Sequence, residues 1–180
     1  MNRRTPFGYD WVCYKPDTDR CYELGSGNFP QPGFIHVDKR PLATTDVCID
    51  LEKVKLQDYL YNHASIPIDR IYTANFIEHI SHTKIDTLLH DCYMSLKVGG
   101  TIEIHFPDFI YNCEHYLSHP EQRFDLQHII FGNHNHPDDT HKLGYTPEMM
   151  VQVLEKIGFT AWVLPNKHNT GTASVGGAKC

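Results

Sequence analysis

The stretch Cys21-Tyr22-Glu23-Leu24-Gly25-Ser26-Gly27-Asn28-Phe29-Pro30-Gln31-Pro32-Gly33-Phe34-Ile35-His36-Val37-Asp38 decides how this chain is read. Two short apolar runs, Cys21 to Leu24 and Phe34 to Val37, have the length and composition of buried strands. The first ends at Gly25 and the second at Asp38. Glycines two apart permit a tight turn and let the backbone approach a ligand closely. A plain turn explains the pair equally well, because many loops contain one. Pro30 and Pro32 prevent a long helix after the glycines, since proline removes a backbone donor and clashes with the preceding turn. The two strands are thus joined by a short link.

Reading outward, strands and helices alternate. Val47 to Ile49 is a third strand, ending at Asp50, and Lys53 to Asn62 forms a helix with Val54, Leu56, Tyr59 and Leu60 apolar. Arg70 to Thr73 is a fourth strand. Thr83 to Leu96 is helical, with Ile85, Leu88, Leu89, Cys92 and Leu96 at the 3.6-residue period. Gly99-Gly100 is read as the end of that segment. Thr101 to Phe106 is a fifth strand, stopped by Pro107. A polar, aromatic-rich insert follows, about Asp108 to Gly144, with helices around Phe109 to Leu117 and Gln122 to Ile130. Thr146 caps a helix from Pro147 to Ile157, closed by Gly158. Phe159 to Leu164 is a sixth strand, and Thr170 to Gly177 contributes the last one. The pattern predicts an α/β fold: a mostly parallel sheet, helices on both faces and an antiparallel C-terminal hairpin at one edge. With 180 residues, one domain spanning 1–180 is expected.

Composition narrows the function. Hydrophobic residues make up 41% and charged residues 21%, so the chain can bury a core. The net charge of −6, with no basic run beyond Arg3-Arg4, argues against nucleic acid as a partner. Cys13, Cys21, Cys48, Cys92, Cys113 and Cys180 form no CxxC pair, which leaves zinc ribbons and redox dithiols without support. Met1 to Pro6 leads into no apolar core of a signal peptide, and no stretch is long enough to span a membrane. A cytoplasmic protein with free thiols is expected.

In a sheet of this kind ligands bind beyond the C-terminal ends of the strands. Asp38, at the second strand's end, can accept both hydroxyls of a ribose. It follows Gly25 by 13 residues, fewer than the roughly 20 of a nicotinamide fingerprint. The missing helix removes the N-terminus that a pyrophosphate wants. Both features point to a ligand without phosphates, such as an adenosyl sulfonium. Asp50 can accept from an adenine amino group, or cap a turn. Asn75-Phe76-Ile77-Glu78-His79 lies where a cofactor's reactive end and an acceptor meet.

Six elements in order resemble the motifs of class I, Rossmann-like, S-adenosylmethionine-dependent methyltransferases. They are Glu23 to Gly27, Val37-Asp38, Ile49-Asp50-Leu51, Asp69 to Tyr72 with Phe76 to Ile80, Leu96 to Ile102, and Leu154 to Phe159. The resemblance covers about residues 21 to 180 and implies S-adenosylmethionine as cofactor. It implies that Glu23, Gly25 and Gly27 hold the amino-acid end, with Glu23 near the ammonium. Asp38 would bind the ribose, Asp50 and Leu51 would frame the adenine, and Asn75 would lie under the sulfonium. The chain departs from the pattern where Asn28-Phe29-Pro30 replaces the third loop glycine. A narrower resemblance, carried by Asn28 to Asp38, Phe106-Pro107-Asp108 and His141 to Tyr145, is to small methyltransferases with a shortened link after the glycine loop. It implies a small-molecule acceptor methylated on oxygen or nitrogen. The alternatives are a protein or nucleic-acid methyltransferase, or a non-catalytic adenosyl-binding partner subunit. The Asn/Asp-Pro-Pro-Tyr/Phe motif of amino-directed nucleic-acid enzymes is absent.

Methyl transfer to a hydroxyl needs a base. His136 and His141, in the histidine-rich insert with His128, His134, Asp138 and Asp139, are candidates, and His79, with Glu78 beside it, either joins them in catalysis or orients the loop through a hydrogen bond. A metal held by these groups is the lesser reading, because His134-x-His136 is not helical ligand spacing, and no metal site is expected. Phe109, Tyr111, Tyr116, Phe124 and Phe131 either line an apolar acceptor pocket or pack the insert on the sheet.

Overall fold

The computed structural model describes residues 20–62, 67–165 and 171–180. The expectations for Met1 to Pro6, for Cys13 and for most of the link from Pro165 to Thr172 lie outside the described residues.

The elements follow the expected alternation. Strand β1 (Cys21–Leu24), β2 (Ile35–Asp38) and β3 (Val47–Cys48) precede helix α1 (Leu56–Asn62). Strand β4 (Ile68–Ala74), helix α2 (Ile85–Ser95) and strand β5 (Leu96–Pro107) come next. The insert holds α3 (Phe109–Ser118) and α4 (Arg123–Phe131), and α5 (Pro147–Ile157), β6 (Phe159–Val163) and β7 (Thr172–Lys179) complete the chain. The sheet has seven strands in the order β3-β2-β1-β4-β5-β7-β6. Strands β1 to β5 pair in parallel, and β7 runs antiparallel between β5 and β6. The hairpin expected at the edge therefore inserts its second strand into the sheet. The α/β reading, with a mostly parallel sheet and an antiparallel C-terminal edge, is borne out.

The sheet's apolar residues supply the core. Val37, Ile71, Ile102, Ile104, Phe106 and Val175 are fully shielded, together with Leu56, Leu60, Met150 and Leu154 of the helices. α1 packs against α2, and α2 against α5. Helix α5 keeps the boundaries its sequence predicts: the Thr146 hydroxyl accepts from the Met149 amide at 3.3 Å and Gly158 closes it at φ 120°.

Several boundaries differ, among them the last strand, read over Thr170 to Gly177 and found at Thr172–Lys179, and two of the shifts have a clear physical reason. The helix read to Leu96 ends at Ser95, and Gly99-Gly100 does not cap it. Ile68 pairs with Leu96 and Arg70 with Thr101, so Lys97 to Gly100 bulge opposite Asp69, with Gly99 at φ 76°. The glycines serve a bulge at the strand entrance. Helix α1 begins at Leu56 instead of Lys53 because the Asp50 carbonyl takes the amides of Lys53 and Val54 in a turn. The buried carboxylate of Asp91, on α2, then accepts from the amides of Leu56 and Gln57, the first residues of α1. It is a cap supplied from another helix. Replacing Asp91 with alanine strands those donors and is expected to cost about 2 kcal/mol. Urea unfolding at unchanged slope measures it, and a loss below about 0.5 kcal/mol would contradict the cap.

Candidate functional site

β1 and β4 lie side by side, and their chain continuations leave in opposite directions across the sheet: β1 leads to β2 and β3, β4 to β5. Beyond the strand ends at this switch point opens a cleft of about 390 Å³. Its wall contains Glu23, Gly25, Gly27, Asp38, Asp50, Leu51, Asn75, His79 and His136. Of the ten residues singled out from sequence, it brings these nine together, and His141 stands just behind His79.

The floor is the glycine loop. The amides of Gly25 and Ser26 both donate to the Val37 carbonyl, at 2.8 and 3.2 Å, which folds the loop back onto β2. Gly25 and Gly27 have φ of 68° and 58°, the left-handed region that glycine enters freely. A Cβ on Gly25 would lie 2.3 Å from the Phe76 ring. The loop and the β4 exit are thus in contact. Ser26 lines the cleft with a buried hydroxyl that has no partner among the described residues, so a donor or acceptor is on offer there.

Glu23 is 4% exposed at the end of β1. Burial raises its pKa, against the Gln31 amide (2.7 Å from Oε2) and the neighbouring His36. A buried carboxylate facing a cleft favours a cationic partner. Asp38 is equally shielded but crowded. Its Oδ1 accepts from the Arg40 amide (2.8 Å) and Arg40 Nε (3.2 Å), and its Oδ2 from the Gly27 amide (3.0 Å) and Arg40 Nη2 (3.4 Å). Burial alone would raise its pKa, but these bonds outweigh it and hold the group ionised below the usual carboxylate range. Arg40 also bonds His136, Nη1 to Nε2 at 2.9 Å. Asp50 pairs with Lys53 at 2.9 Å and accepts from the Glu52 amide at 3.1 Å, and the Lys53 contact lowers its pKa. It both caps the turn and borders the cleft. Asn75 takes the left-handed conformation, φ 49°, with its amide on the His105 carbonyl.

The insert closes one side. Its loop is tied to the β2 and β3 rim by Lys39 to Asp138 and by Lys142 to Glu52. The amides of Lys142 and Leu143 donate to the Glu78 carbonyl at 2.7 and 3.3 Å, and His79 Nδ1 donates to the Thr140 carbonyl at 3.1 Å. These bonds bring His141 against the short turn Ile77–His79, its ring 4.8 Å from that of His79. His141 Nε2 lies 4.0 Å from Glu78 Oε1. Burial holds both histidines below their usual pKa and pushes Glu78 up to about 7. The histidine-rich stretch therefore divides: His136 sits at the Asp38 end, His141 at the Glu78 end, and His128 and His134 are exposed. Asp108 caps α3 through the Tyr111 amide and is not part of the cleft wall.

Sequence reading assigned no role to Ser26, Arg40, Ile49 and Phe76, which share the wall, and it named Glu78 beside His79 without showing that its carboxylate is buried and unpartnered among the described residues. Ser26, Ile49 and Phe76 carried a signal, lying within motifs already singled out. Nothing in the sequence shows that Arg40 turns back onto Asp38.

No family model and no curated protein match the sequence. Solved structures do match in fold. A SAM-dependent methyltransferase from Archaeoglobus fulgidus superposes with a TM-score of 0.57 at 17% identity, covering 92% of this chain and 88% of that one. A SAM-dependent methyltransferase from Thermotoga maritima, described as a possible histamine N-methyltransferase, gives 0.56 at 15% identity, covering 89% and 82%. Human N-acetylserotonin methyltransferase, in complex with SAM, gives 0.57 at 16% identity; 89% of this chain matches 47% of that longer one. The chain has the Rossmann-like fold of these methyltransferases.

Proposed function

We propose that this chain is an S-adenosylmethionine-dependent methyltransferase acting on an oxygen or nitrogen of a small molecule. The observation that carries the reading is the convergence of Glu23, Asp38 and Asp50 on one cleft around a glycine loop with no phosphate-binding helix behind it. That donor set suits a cationic, phosphate-free adenosyl ligand. Glu23 meets its ammonium, and Gly25, Ser26 and Gly27 cradle the amino-acid end, where the unpartnered Ser26 hydroxyl finds a bond. Asp38 takes the ribose, Asp50, Leu51 and Ile49 border the adenine, and Asn75 and Phe76 face the sulfonium. The matched folds support the cofactor assignment, three of them belonging to SAM-dependent enzymes.

When bound, the cofactor would supply a methyl carbon made electrophilic by its sulfonium, for transfer to an acceptor oxygen or nitrogen that must also give up a proton. The protein's part is alignment, exclusion of water and disposal of that proton. His79 lines the cleft with Glu78 and His141 packed behind it, and we assign to this cluster the loss of the acceptor's proton, directly or through an ion that it holds. His136 lies at the ribose end, tied to Arg40, and its assigned part is holding the insert closed. A small acceptor is supported by a second cavity of about 530 Å³, which borders His141 and Lys142 and is lined by Phe109, Tyr116, Ile130 and Phe131. The net charge of −6 weighs against a nucleic-acid substrate.

Calorimetric titration with S-adenosylmethionine, S-adenosylhomocysteine and NAD tests the reading. Saturable binding of the two adenosyl ligands alone is expected. Binding of NAD in their place, or of none of the three, would overturn it.

A further inference from the structure

The carboxylate of Glu78 is the least satisfied charge-bearing group among the described residues. It is 2% exposed, and neither oxygen has a hydrogen-bond partner. An ionisable group left so is costly unless something pairs with it. The metal-ligating groups grouped with it are the imidazoles of His79 and His141, and the buried Tyr145 phenol is also within its electrostatic reach. One ligand atom each from Glu78, His79 and His141 lies within 4.8 Å of the others. His79 gives its Nδ1 proton to the Thr140 carbonyl, which leaves Nε2 unprotonated and free to coordinate. His141 presents Nε2 toward Glu78 Oε1 at 4.0 Å. A carbonyl that fixes ring orientation through the other nitrogen, as Thr140 does for His79, is a usual outer partner of metal-bound histidine.

We propose that Glu78, His79 and His141 bind a divalent first-row transition-metal ion at the border between the cofactor cleft and the second cavity. Two imidazoles and one carboxylate are borderline donors, suited to Zn²⁺, Fe²⁺, Co²⁺ or Mn²⁺ and less to Mg²⁺ or Ca²⁺, which prefer all-oxygen sets. Three protein ligands leave positions open. The observed spread closes to a bonded set by side-chain rotation, because ligands on a common ion at ~2.1 Å stand about 3 to 4 Å apart. The site joins the turn after β4 to the far end of the insert, 62 residues apart between His79 and His141, so no sequence spacing displays it. On the methyltransferase reading, an ion there would bind the acceptor's oxygen and make its proton easier to lose. Binding of the ion itself does not depend on that reading.

The test uses the full chain, stripped with EDTA and titrated with Co²⁺. Calorimetry and the visible ligand-field bands are expected to report one ion per chain. His79→Ala, His141→Ala and Glu78→Gln should each weaken Co²⁺ binding tenfold or more, while His90→Ala, on the exposed side of α2, should not. X-ray absorption of the Zn²⁺-loaded, unsubstituted protein needs no variant to fold and should show imidazole and oxygen scattering without sulfur. A sulfur shell, Co²⁺ affinities unchanged in folded variants, or no Co²⁺ binding would overturn the site. S-adenosylhomocysteine is titrated into the same stripped sample. If it binds while Co²⁺ does not, this inference alone falls; the reverse result removes the cofactor assignment alone.

Discussion

Gly25→Ala is expected to destabilise the protein by about 3 kcal/mol and to weaken S-adenosylhomocysteine binding by roughly 30-fold or more. Two costs add. Gly25 sits at φ 68°, where a Cβ costs about 1 kcal/mol. The new Cβ would also lie 2.3 to 2.7 Å from Cδ2, Cγ and Cβ of Phe76. Rotating the ring does not clear a clash with the Phe76 Cβ, so backbone must move. The preceding residue, Asn75, already holds a left-handed conformation anchored to the His105 carbonyl. The strain therefore passes into the glycine loop or the β4 exit, and both are walls of the cleft. Gly27→Ala is the control. It has a similar φ of 58°, but the nearest atom to its Cβ would be Arg40 Nη2 at 3.6 Å. It should lose only about 1 kcal/mol. Equal losses at the two positions, by urea unfolding and calorimetry, would mean that contact with Phe76 does not shape the site.

This contrast marks what the sequence discloses. The Gly-x-Gly pair, the prolines after it and Asp38 are local signals, and they place the loop, the short link and the strand end where the structure has them. The helix α5 is equally legible, because cap, proline and closing glycine act within a few residues. The start of α1 is not, because the Asp91 carboxylate that caps it lies 35 residues along the chain from Leu56. Gly99-Gly100 misleads for a related reason: positive φ is required both after a helix and inside a bulge, and only the pairing of β4 with β5 decides between them. In the site, residues drawn from strand ends are readable, since sheet topology alone delivers Glu23, Asp38, Asp50 and Asn75 to one place. The histidines are not. His136 and His141 are five apart yet serve opposite ends of the cleft, and what separates them is the path of the insert over the strand ends.

Asp38→Ala should lower the affinity for S-adenosylhomocysteine on the order of 100-fold, while Arg40→Ala should raise it several-fold. The first value follows from losing two hydroxyl bonds to an ionised acceptor, at about 1.5 kcal/mol each. The second follows from the geometry. Both Asp38 oxygens already accept from Arg40 and from the Gly27 amide, so a ribose must displace the guanidinium before it can bond. Removing Arg40 removes the competitor and leaves the amides of Gly27 and residue 40 to hold the carboxylate in place. Because Arg40 Nη1 also holds His136, a ribose that displaces it loosens the insert at that corner, leaving the loop anchored through Lys39, Lys142 and His79. His136→Ala should thus raise affinity in the same direction as Arg40→Ala but by less, since only one of the guanidinium's anchors is lost. Calorimetry on the four proteins, each checked for native unfolding behaviour, separates the possibilities. If Arg40→Ala binds the ligand as weakly as Asp38→Ala, the guanidinium contacts the ligand directly and the competition is wrong. If Asp38→Ala binds as well as the unsubstituted protein, the ribose lies elsewhere and the assignment of the cleft's acidic end fails with it.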